Sequence, residues 1–324
     1  MNKHLFTNGA FVGSVLLVVL ALIGHVVIDG FTSPFSLRAM LVLAAFLGIA
    51  TIGQTLVALL GGLDLSIPFL IGSANIFTLW LIGEGWPDLL AVLFVLMLGA
   101  GIGIVNGLLS LRLQGQALII TLAVGFAVVG LTQIRTTIGS VFGGNVLGEV
   151  PDWLLKFSSP QGSIFGAGVP PVVGLWALLS ALTLFVIRRT TAGRALYAVG
   201  GNRTAAKYVL VSEPHTWCGA YAASGFTAAL TGVALLGFTG GGFVGVGDPY
   251  LFTSVAAVVV GGTSLLGGRG GYGHTIIGAL VLTVLGTLLV GIGLSNAGQQ
   301  VVLGLLIIPM VALYARTPHP RTTV

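Results

Sequence analysis

The chain has 324 residues, of which 56% are hydrophobic and only 6% are charged. A soluble domain carries about 25% charged residues, so this chain cannot cover itself with a water-soluble surface. Its net charge of +5 does not indicate nucleic-acid binding, because the charges sit between apolar segments, where membrane orientation accounts for them. A single cysteine, Cys218, excludes an intrachain disulfide.

Apolar segments long enough to cross a bilayer follow one another along most of the chain. The hydrocarbon core is about 30 Å thick, so a spanning helix needs roughly 20 mostly apolar residues. None of the segments shows the alternation of a membrane barrel strand. The sequence predicts an all-α polytopic membrane protein that forms one domain over residues 1–324. We expect the first apolar segment to be retained as a membrane helix rather than removed as a signal peptide. About ten transmembrane helices are predicted: 10–29, 38–60, 65–83, 88–110, 117–135, 171–187, 216–238, 251–267, 272–293 and 296–315.

The positive-inside rule orients these helices. With the N-terminus in the cytoplasm and ten spans, both termini are cytoplasmic, residues 136–170 form an extracytoplasmic loop and residues 188–215 a cytoplasmic one. The outer side then receives only three basic residues, Arg38, Arg135 and Lys156. The cytoplasmic side receives ten: Lys3, Arg112, Arg188, Arg189, Arg194, Arg203, Lys207, Arg269, Arg316 and Arg321.

Two glycine-rich breaks interrupt the apolar pattern. In "LLGGLDLSIPFL", residues 59–70, Asp64 or Ser66 is predicted to cap the next helix, with Pro68 in its first turn. The break is either an interfacial turn or irregular backbone at membrane depth that lines a pathway. A second stretch, "VVVGGTSLLGGRGGYG" at residues 258–273, resembles this break. The resemblance suggests that the chain has two related halves, predicted spans 2–5 and 7–10, although the spacing after the two breaks differs.

Several polar side chains lie within or beside the predicted spans. They are the groups with which an uncharged polar solute would form hydrogen bonds along a pathway, and contacts between helices would use them equally well. The pathway candidates are Gln54, Asp64, Asn75, Asn106, Thr121, Gln133, Thr263 and Ser264. Gly99, Gly103 and Gly107 recur at every fourth position, which predicts close helix packing rather than a phosphate-binding loop.

Enzymatic and ion-driven chemistry find no support in the sequence. There is no GxxxxGK[ST] phosphate-binding loop, and the five histidines lack catalytic or metal-binding spacing. No ionisable residue falls securely at mid-membrane, where proton- and sodium-driven carriers usually need one. We therefore predict no cofactor, no metal and no catalytic residue, which disfavours a membrane enzyme and a carrier working alone.

The basic loop 188–215 is more structured than orientation alone requires. "TAAKYVLVS" can form a short helix capped by Asn202 or Thr204, and the glycines at 193, 200 and 201 are expected to permit sharp turns. A structured basic segment with small residues on one face indicates a docking surface for a soluble partner.

The sequence resembles the permease subunits of ribose/xylose/arabinose-type ATP-binding-cassette (ABC) importers. The resemblance extends over roughly residues 45–315, and its motifs are "GGLDLS" (61–66), "TTAGRALYAVGGNRTAA" (190–206), "VAAVVVGGTSLLGGRG" (255–270) and "QQVVLGLLII" (299–308). It implies a bacterial inner-membrane protein that imports a monosaccharide or related polyol, with a nucleoside or amino acid as alternatives.

The resemblance also implies partners. These are an ABC ATPase, a periplasmic or lipid-anchored sugar-binding protein that docks at 136–170 and 239–250, and a second permease copy or a paralogue. The residues implied to contact the ATPase are Gly193, Arg194, Gly200, Gly201, Asn202, Ala205 and Ala206.

The chain departs from the family pattern at several positions. Arg203 and Thr204 replace the usual acidic residues, and Val209-Leu210 replaces Ser-Gly. Leucine in place of glycine at 210 is expected to change how the coupling helix ends. Ile67-Pro68 replaces Val-Gly, and Tyr250-Leu251-Phe252 stands where an acidic residue is usual.

Overall fold

The computed structural model describes residues 9–113, 116–137, 144–164, 166 and 168–315. Lys3, Arg316 and Arg321 lie outside this part of the chain, as do six residues of the predicted outer loop, 138–143, together with 165 and 167. The helices within it are α1 (Gly9–Val27), α2 (Pro34–Leu59), α3 (Ile67–Gly83), α4 (Asp88–Arg112), α5 (Ala117–Thr137), α6 (Asp152–Ser158), α7 (Pro171–Arg189), α8 (Thr191–Gly201), α9 (Arg203–Tyr208), α10 (Glu213–Thr239), α11 (Tyr250–Gly261), α12 (Tyr272–Gly291) and α13 (Asn296–Ala315).

Each predicted span corresponds to one of these helices, and the all-α polytopic fold is confirmed. Among the described residues, seven helical segments are long and apolar enough to cross a membrane, and three apolar helices are shorter, at Phe11–Val27, Ile67–Gly83 and Ala297–Leu306. At the break before α3, Ser66 stands at the N-cap position and Pro68 in the first turn, as predicted, but the side chain of Ser66 makes no capping hydrogen bond.

The predicted span 251–267 is wrong at its C-terminal end. Helix α11 stops at Gly261 because Gly262 takes a left-handed conformation with φ 99°. The amide of Thr263 then donates to the carbonyl oxygen of Val258, which closes the helix as a Schellman motif. A short 3₁₀ helix, Val244–Gly247, precedes α11, so this segment is a broken helix rather than one continuous span.

The end of α2 has the same local structure as the end of α11. Gly61 is left-handed with φ 79°, and the amide of Gly62 donates to the carbonyl oxygen of Val57. The two breaks that resemble each other in sequence thus close their helices with the same hydrogen-bond pattern. The proposed relation between the two halves of the chain stays a prediction.

Helices α2 and α10 form the centre of the fold. Most of the apolar window of each is buried, and α10 packs against α4, α2 and α3. The contact with α4 follows the glycine motif, because a Cβ atom on Gly103 would overlap the carbonyl oxygen of Tyr221, and one on Gly99 would lie 2.6 Å from that of Gly225. The packing interpretation of these glycines is confirmed.

Small elements cover one end of α10. Strand β1 (Asn145–Val146) pairs antiparallel with β2 (Gly242–Phe243), so the predicted loop 136–170 meets the segment that follows α10. Helix α6 packs against the last turns of α10, where Gly237 leaves room only for the backbone of Leu154. A helix of 27 residues is about 40 Å long, so these elements and the start of α10 lie at opposite ends of the molecule.

The basic loop is helical over most of its length. The prediction that Gly193, Gly200 and Gly201 permit sharp turns is wrong, because all three lie inside α8. The short helix α9 forms where predicted, with the side chain of Asn202 accepting a hydrogen bond from the amide of Ala205 at 3.0 Å, but it ends at Tyr208, so the predicted helix over 204–212 is wrong at its C-terminal end. Gly193 and Gly200 serve close packing here rather than chain reversal, whereas the space beside Gly201 is open.

Candidate coupling junction and buried polar network

Three glycine-rich motifs that are distant in sequence meet at one place, which we call the junction. It consists of residues 59–62, which begin with the last residue of α2, residues 200–201 at the end of α8 and residues 266–271 before α12. The amide of Gly268 donates to the carbonyl oxygen of Leu59 at 2.9 Å. A Cβ atom on Gly200 would overlap that same oxygen, and one on Gly267 would lie 2.8 Å from the amide nitrogen of Gly61. The three backbones therefore pack together without intervening side chains.

A tyrosine on α8 adds a hydrogen bond to the junction. The hydroxyl of Tyr197 donates to the carbonyl oxygen of Gly270 at 2.6 Å. Burial raises the pKa of Tyr197, although the nearby Arg188 charge opposes the shift. The phenol therefore stays protonated and keeps its role as a donor.

Helix α9 is attached to the start of α10 by charge and by an aromatic ring. The carboxylate of Glu213 lies 3.6 Å from the guanidinium of Arg203 and 3.7 Å from the ammonium of Lys207. Arg203 also lies over the indole ring of Trp217, 4.3 Å from the ring centroid. Arg203, one of the departures from the family pattern, thus has acidic and aromatic partners within this chain.

The end of α9 keeps a conformation suited to glycine. Leu210 has φ 59°, and the amide of Val211 donates to the carbonyl oxygen of Ala206, as in a Schellman motif with glycine at this position. The expectation that leucine would change the helix ending is therefore wrong. The leucine side chain is 93% exposed, so this conformation brings no packing gain.

Replacing Leu210 with glycine is expected to stabilise the end of α9 by about 1 kcal/mol, because left-handed backbone costs a residue with a Cβ atom about that much. Hydrogen exchange measured by mass spectrometry should show slower exchange of residues 206–211. Val209→Gly is the matched control, since Val209 has φ −100° and glycine there only adds flexibility, which should speed exchange. Faster exchange in Leu210→Gly would contradict the strain argument.

The residues implied to contact an ATPase divide into two groups. Gly193, Gly200 and Ala206 are buried, and a Cβ atom on Gly193 would overlap the carbonyl oxygen of Ile187. The others have accessible surface: Arg194, Gly201, Asn202 and Ala205. The first group holds the segment on the membrane domain, and only the second could touch a partner.

Three of the pathway candidates belong to one buried polar network. The carboxylate of Asp64 accepts hydrogen bonds from the amide of Ser66 at 3.0 Å, the hydroxyl of Ser66 at 2.5 Å and the hydroxyl of Ser224 at 2.7 Å. The side-chain amide of Asn106 donates to the Ser66 hydroxyl at 2.8 Å. Thr121 accepts from the amide of Leu65 at 3.0 Å. The network joins α4, α5 and α10 to the break before α3.

The other candidates lie apart from this network. The side chain of Asn75 bonds the carbonyl oxygen of Gly232 and accepts from the amide of Phe243, near the β1–β2 end. Gln133 also lies at that end, close to Gly144. Thr263 bonds the backbone of Gly271 beside the junction, and Ser264 accepts from the amide of Leu266. Gln54 is fully buried on α2, and its amide finds no hydrogen-bond partner within the described part of the chain.

Sequence reasoning missed the partners that organise both sites. Ser224 and Tyr221 project from the middle of α10, and Glu213 and Trp217 from its start; none stands in a motif. Tyr221 donates to the carbonyl oxygen of Leu63 at 3.3 Å. The only signal was their spacing at three or four positions along one predicted span, which would place them on one helix face.

Comparison with known proteins agrees with this arrangement. A family model described as a permease component of branched-chain amino acid transport systems matches residues 36–311. A fructose import permease protein of Rhizobium meliloti is 32% identical over 96% of this chain and 87% of its own length.

Two further relatives cover similar lengths. A probable ABC transporter permease protein of Escherichia coli is 34% identical over 96% of this chain and 90% of its own length. A ribose import permease protein of Bacillus subtilis is 30% identical over 94% of this chain and 91% of its own length. No solved structure matches significantly. The chain therefore belongs to the permease family of the ribose/xylose/arabinose-type ABC importers.

Proposed function

We propose that this chain is the permease subunit of an ABC importer for a monosaccharide or related polyol, driven by a separate ATPase and supplied by an extracytoplasmic binding protein. The observation that carries the proposal is the junction, where the end of α8, in the basic segment, is packed directly onto the end of α2 and onto the loop between α11 and α12. The names of relatives that import ribose and fructose support a sugar as the substrate. ATP hydrolysis belongs to the partner, and this chain needs no cofactor.

The accessible residues of α8 and α9 would form the ATPase contact. A force on α8 would reach the end of α2 and the start of α12 through the junction. A force on α9 reaches α10 through Glu213 and Trp217, and the hydroxyl of Ser224 links α10 to Asp64. Two routes thus connect the basic segment to helices at the centre of the fold, as a coupling mechanism requires.

The opposite end of the molecule would receive the binding protein. There the β1–β2 pair and α6 bring the segments 136–170 and 239–250 together around the end of α10. This arrangement places the two proposed docking regions side by side. With the basic segment in the cytoplasm, as the positive-inside rule predicts, both termini are cytoplasmic and this end faces outward in the inner membrane.

The pathway would use polar atoms that the fold leaves without partners. The amide of Gln54 and the side-chain oxygen of Asn106 are buried and make no hydrogen bond among the described residues. An unsatisfied buried group costs about 1–3 kcal/mol, so such atoms are suited to a transient polar ligand. One subunit of this class supplies half of a pathway, so we propose a dimer with a second copy or a paralogue.

Sugar uptake into proteoliposomes tests the proposal, with this chain, its ATPase and its binding protein reconstituted together. Gly201→Asp is the informative variant, because a Cβ atom at Gly201 meets no atom within 4 Å, and we expect the fold to accept the substitution. We expect ATP-dependent uptake by the wild type, and a loss of at least tenfold in the variant with normal insertion.

Gly83→Asp is the control, since Gly83 is equally open but lies at the end of α3, outside the basic segment. It should leave uptake unchanged. If this chain alone carries sugar down a gradient, unaffected by ATP or by Gly201→Asp, the protein is a facilitator and the ABC mechanism is wrong.

A further inference from the structure

A cleft of about 650 Å³ opens beside the junction and shares part of its lining, since Tyr197, Gly270 and Gly271 line it, as does Arg194 of the proposed ATPase contact. It lies between the end of α7, helix α8 and the start of α12. The lining residues include Leu184, Ile187 and Tyr272, which are apolar or aromatic, and Arg188, Arg194 and His274, which are basic. We propose that this cleft binds the phosphate-bearing headgroup of an anionic phospholipid.

The charges in the cleft favour an anion. No carboxylate of the described residues lies within 4 Å of Arg188 or Arg194. Their nearest acidic neighbour in sequence is Glu213, and it already pairs with Arg203 and Lys207. Two arginines that share a cleft without an acidic partner repel each other, and a phosphate group would relieve that repulsion. Arginine also binds phosphate through two parallel hydrogen bonds.

The backbone at the start of α12 adds donors to the same cleft. Tyr272 and Gly273 line it, and the first amides of a helix have no acceptor within the helix, whereas the amide of Gly271 already donates to the hydroxyl of Thr263. A Cβ atom built on Gly273 would lie 3.7 Å from the guanidinium of Arg188, so the helix start and the arginine face the same space. The backbone dipole and the arginine charge therefore favour the same ligand.

The surroundings of the cleft favour a lipid over a free anion. Helix α7 is a candidate membrane span with only 22% of its apolar window buried, so most of its surface faces outward. On the side of α7 that carries Leu184 and Arg188, Ala181 and Ala177 are exposed about one and two turns before Leu184. An acyl chain can lie along these small side chains while the headgroup sits among the arginines. Basic pockets between membrane helices on the cytoplasmic side commonly bind such headgroups.

The test measures lipid retention by the purified full-length chain. Protein is reconstituted into nanodiscs of phosphatidylcholine with increasing fractions of phosphatidylglycerol, extracted into detergent, and the retained phosphatidylglycerol is counted by native mass spectrometry. A basic residue near the membrane surface contributes about 1 kcal/mol to anionic-lipid binding, so Arg188→Gln should weaken retention about fivefold. Arg189→Gln is the matched control, because Arg189 is the next residue on α7 and does not line the cleft.

Three outcomes would overturn the proposal. Equal losses in Arg188→Gln and Arg189→Gln would mean that general surface charge attracts the lipid. In pure phosphatidylcholine, inorganic phosphate could stabilise the wild type but not Arg188→Gln, while phosphatidylglycerol has no effect. That result would identify a free-anion site. Unchanged lipid retention with weaker binding of the ATPase would make the cleft a protein contact. None of these measurements requires transport, so the result is independent of the proposed import function.

Discussion

Gly103→Ala is expected to lower the free energy of unfolding by about 3 kcal/mol, at the upper end of the cost of overpacking. The added methyl group would overlap the carbonyl oxygen of Tyr221 and lie 2.9 Å from the Cα atom of Ala222. Both are backbone atoms of α10, so no side chain can move aside. Helices α4 and α10 would have to separate, and α10 is the helix on which both ends of the molecule are built.

The matched control for this prediction is Gly101→Ala, two residues earlier on the same helix. A Cβ atom there meets nothing within 4 Å, and alanine favours the helix by about 1 kcal/mol relative to glycine. In thermal unfolding in detergent, the melting temperature should therefore fall in Gly103→Ala and rise in Gly101→Ala, relative to the wild type. Equal melting temperatures would show that the close approach of α4 and α10 does not contribute to stability.

Asp64→Ala is also expected to lower the free energy of unfolding by about 3 kcal/mol or more. It would leave the amide of Ser66 and the hydroxyls of Ser66 and Ser224 without their acceptor. Both serines are fully buried, so water cannot replace the carboxylate. Each buried donor left without a partner costs about 1–3 kcal/mol.

Two controls distinguish this structural role from a role in the pathway. Asp64→Asn keeps one carbonyl acceptor and should lose about half as much stability, and Asp29→Ala removes an exposed acidic residue and should change little. The measurements are the melting temperature in detergent and sugar uptake. If Asp64→Ala keeps its melting temperature but abolishes uptake, the carboxylate belongs to the pathway and not to the fold.

The features that could be predicted from the sequence are those that depend on neighbouring residues. The apolar lengths predicted every membrane helix, the Asn202 cap predicted α9, and the repeated glycines of α4 predicted a close helix contact. The end of α11 was misplaced because "GGTSLLGG" contains no proline or charge to mark the helix end. The left-handed conformation of Gly262 closes the helix instead.

The contacts that organise the sites could not be predicted in the same way. Ser224 lies 160 positions from Asp64, and no local pattern pairs a serine in one span with an aspartate in a distant break. The glycines at 193 and 200 were read as turn residues because glycine permits both sharp turns and close packing. The choice depends on whether another backbone lies beside it, here that of Ile187 or Leu59.

The junction also has a consequence for biosynthesis. Its hydrogen bond joins Leu59, at the end of the second membrane helix, to Gly268, just before the next-to-last one. During synthesis the N-terminal helices insert first, so α8 emerges long before the loop that holds it in place has been made. The proposed docking surface for an ATPase would therefore be complete only when nearly the whole chain is in the membrane. If the proposal holds, an unfinished or truncated permease would present no properly formed surface, and the ATPase would not engage chains that cannot transport.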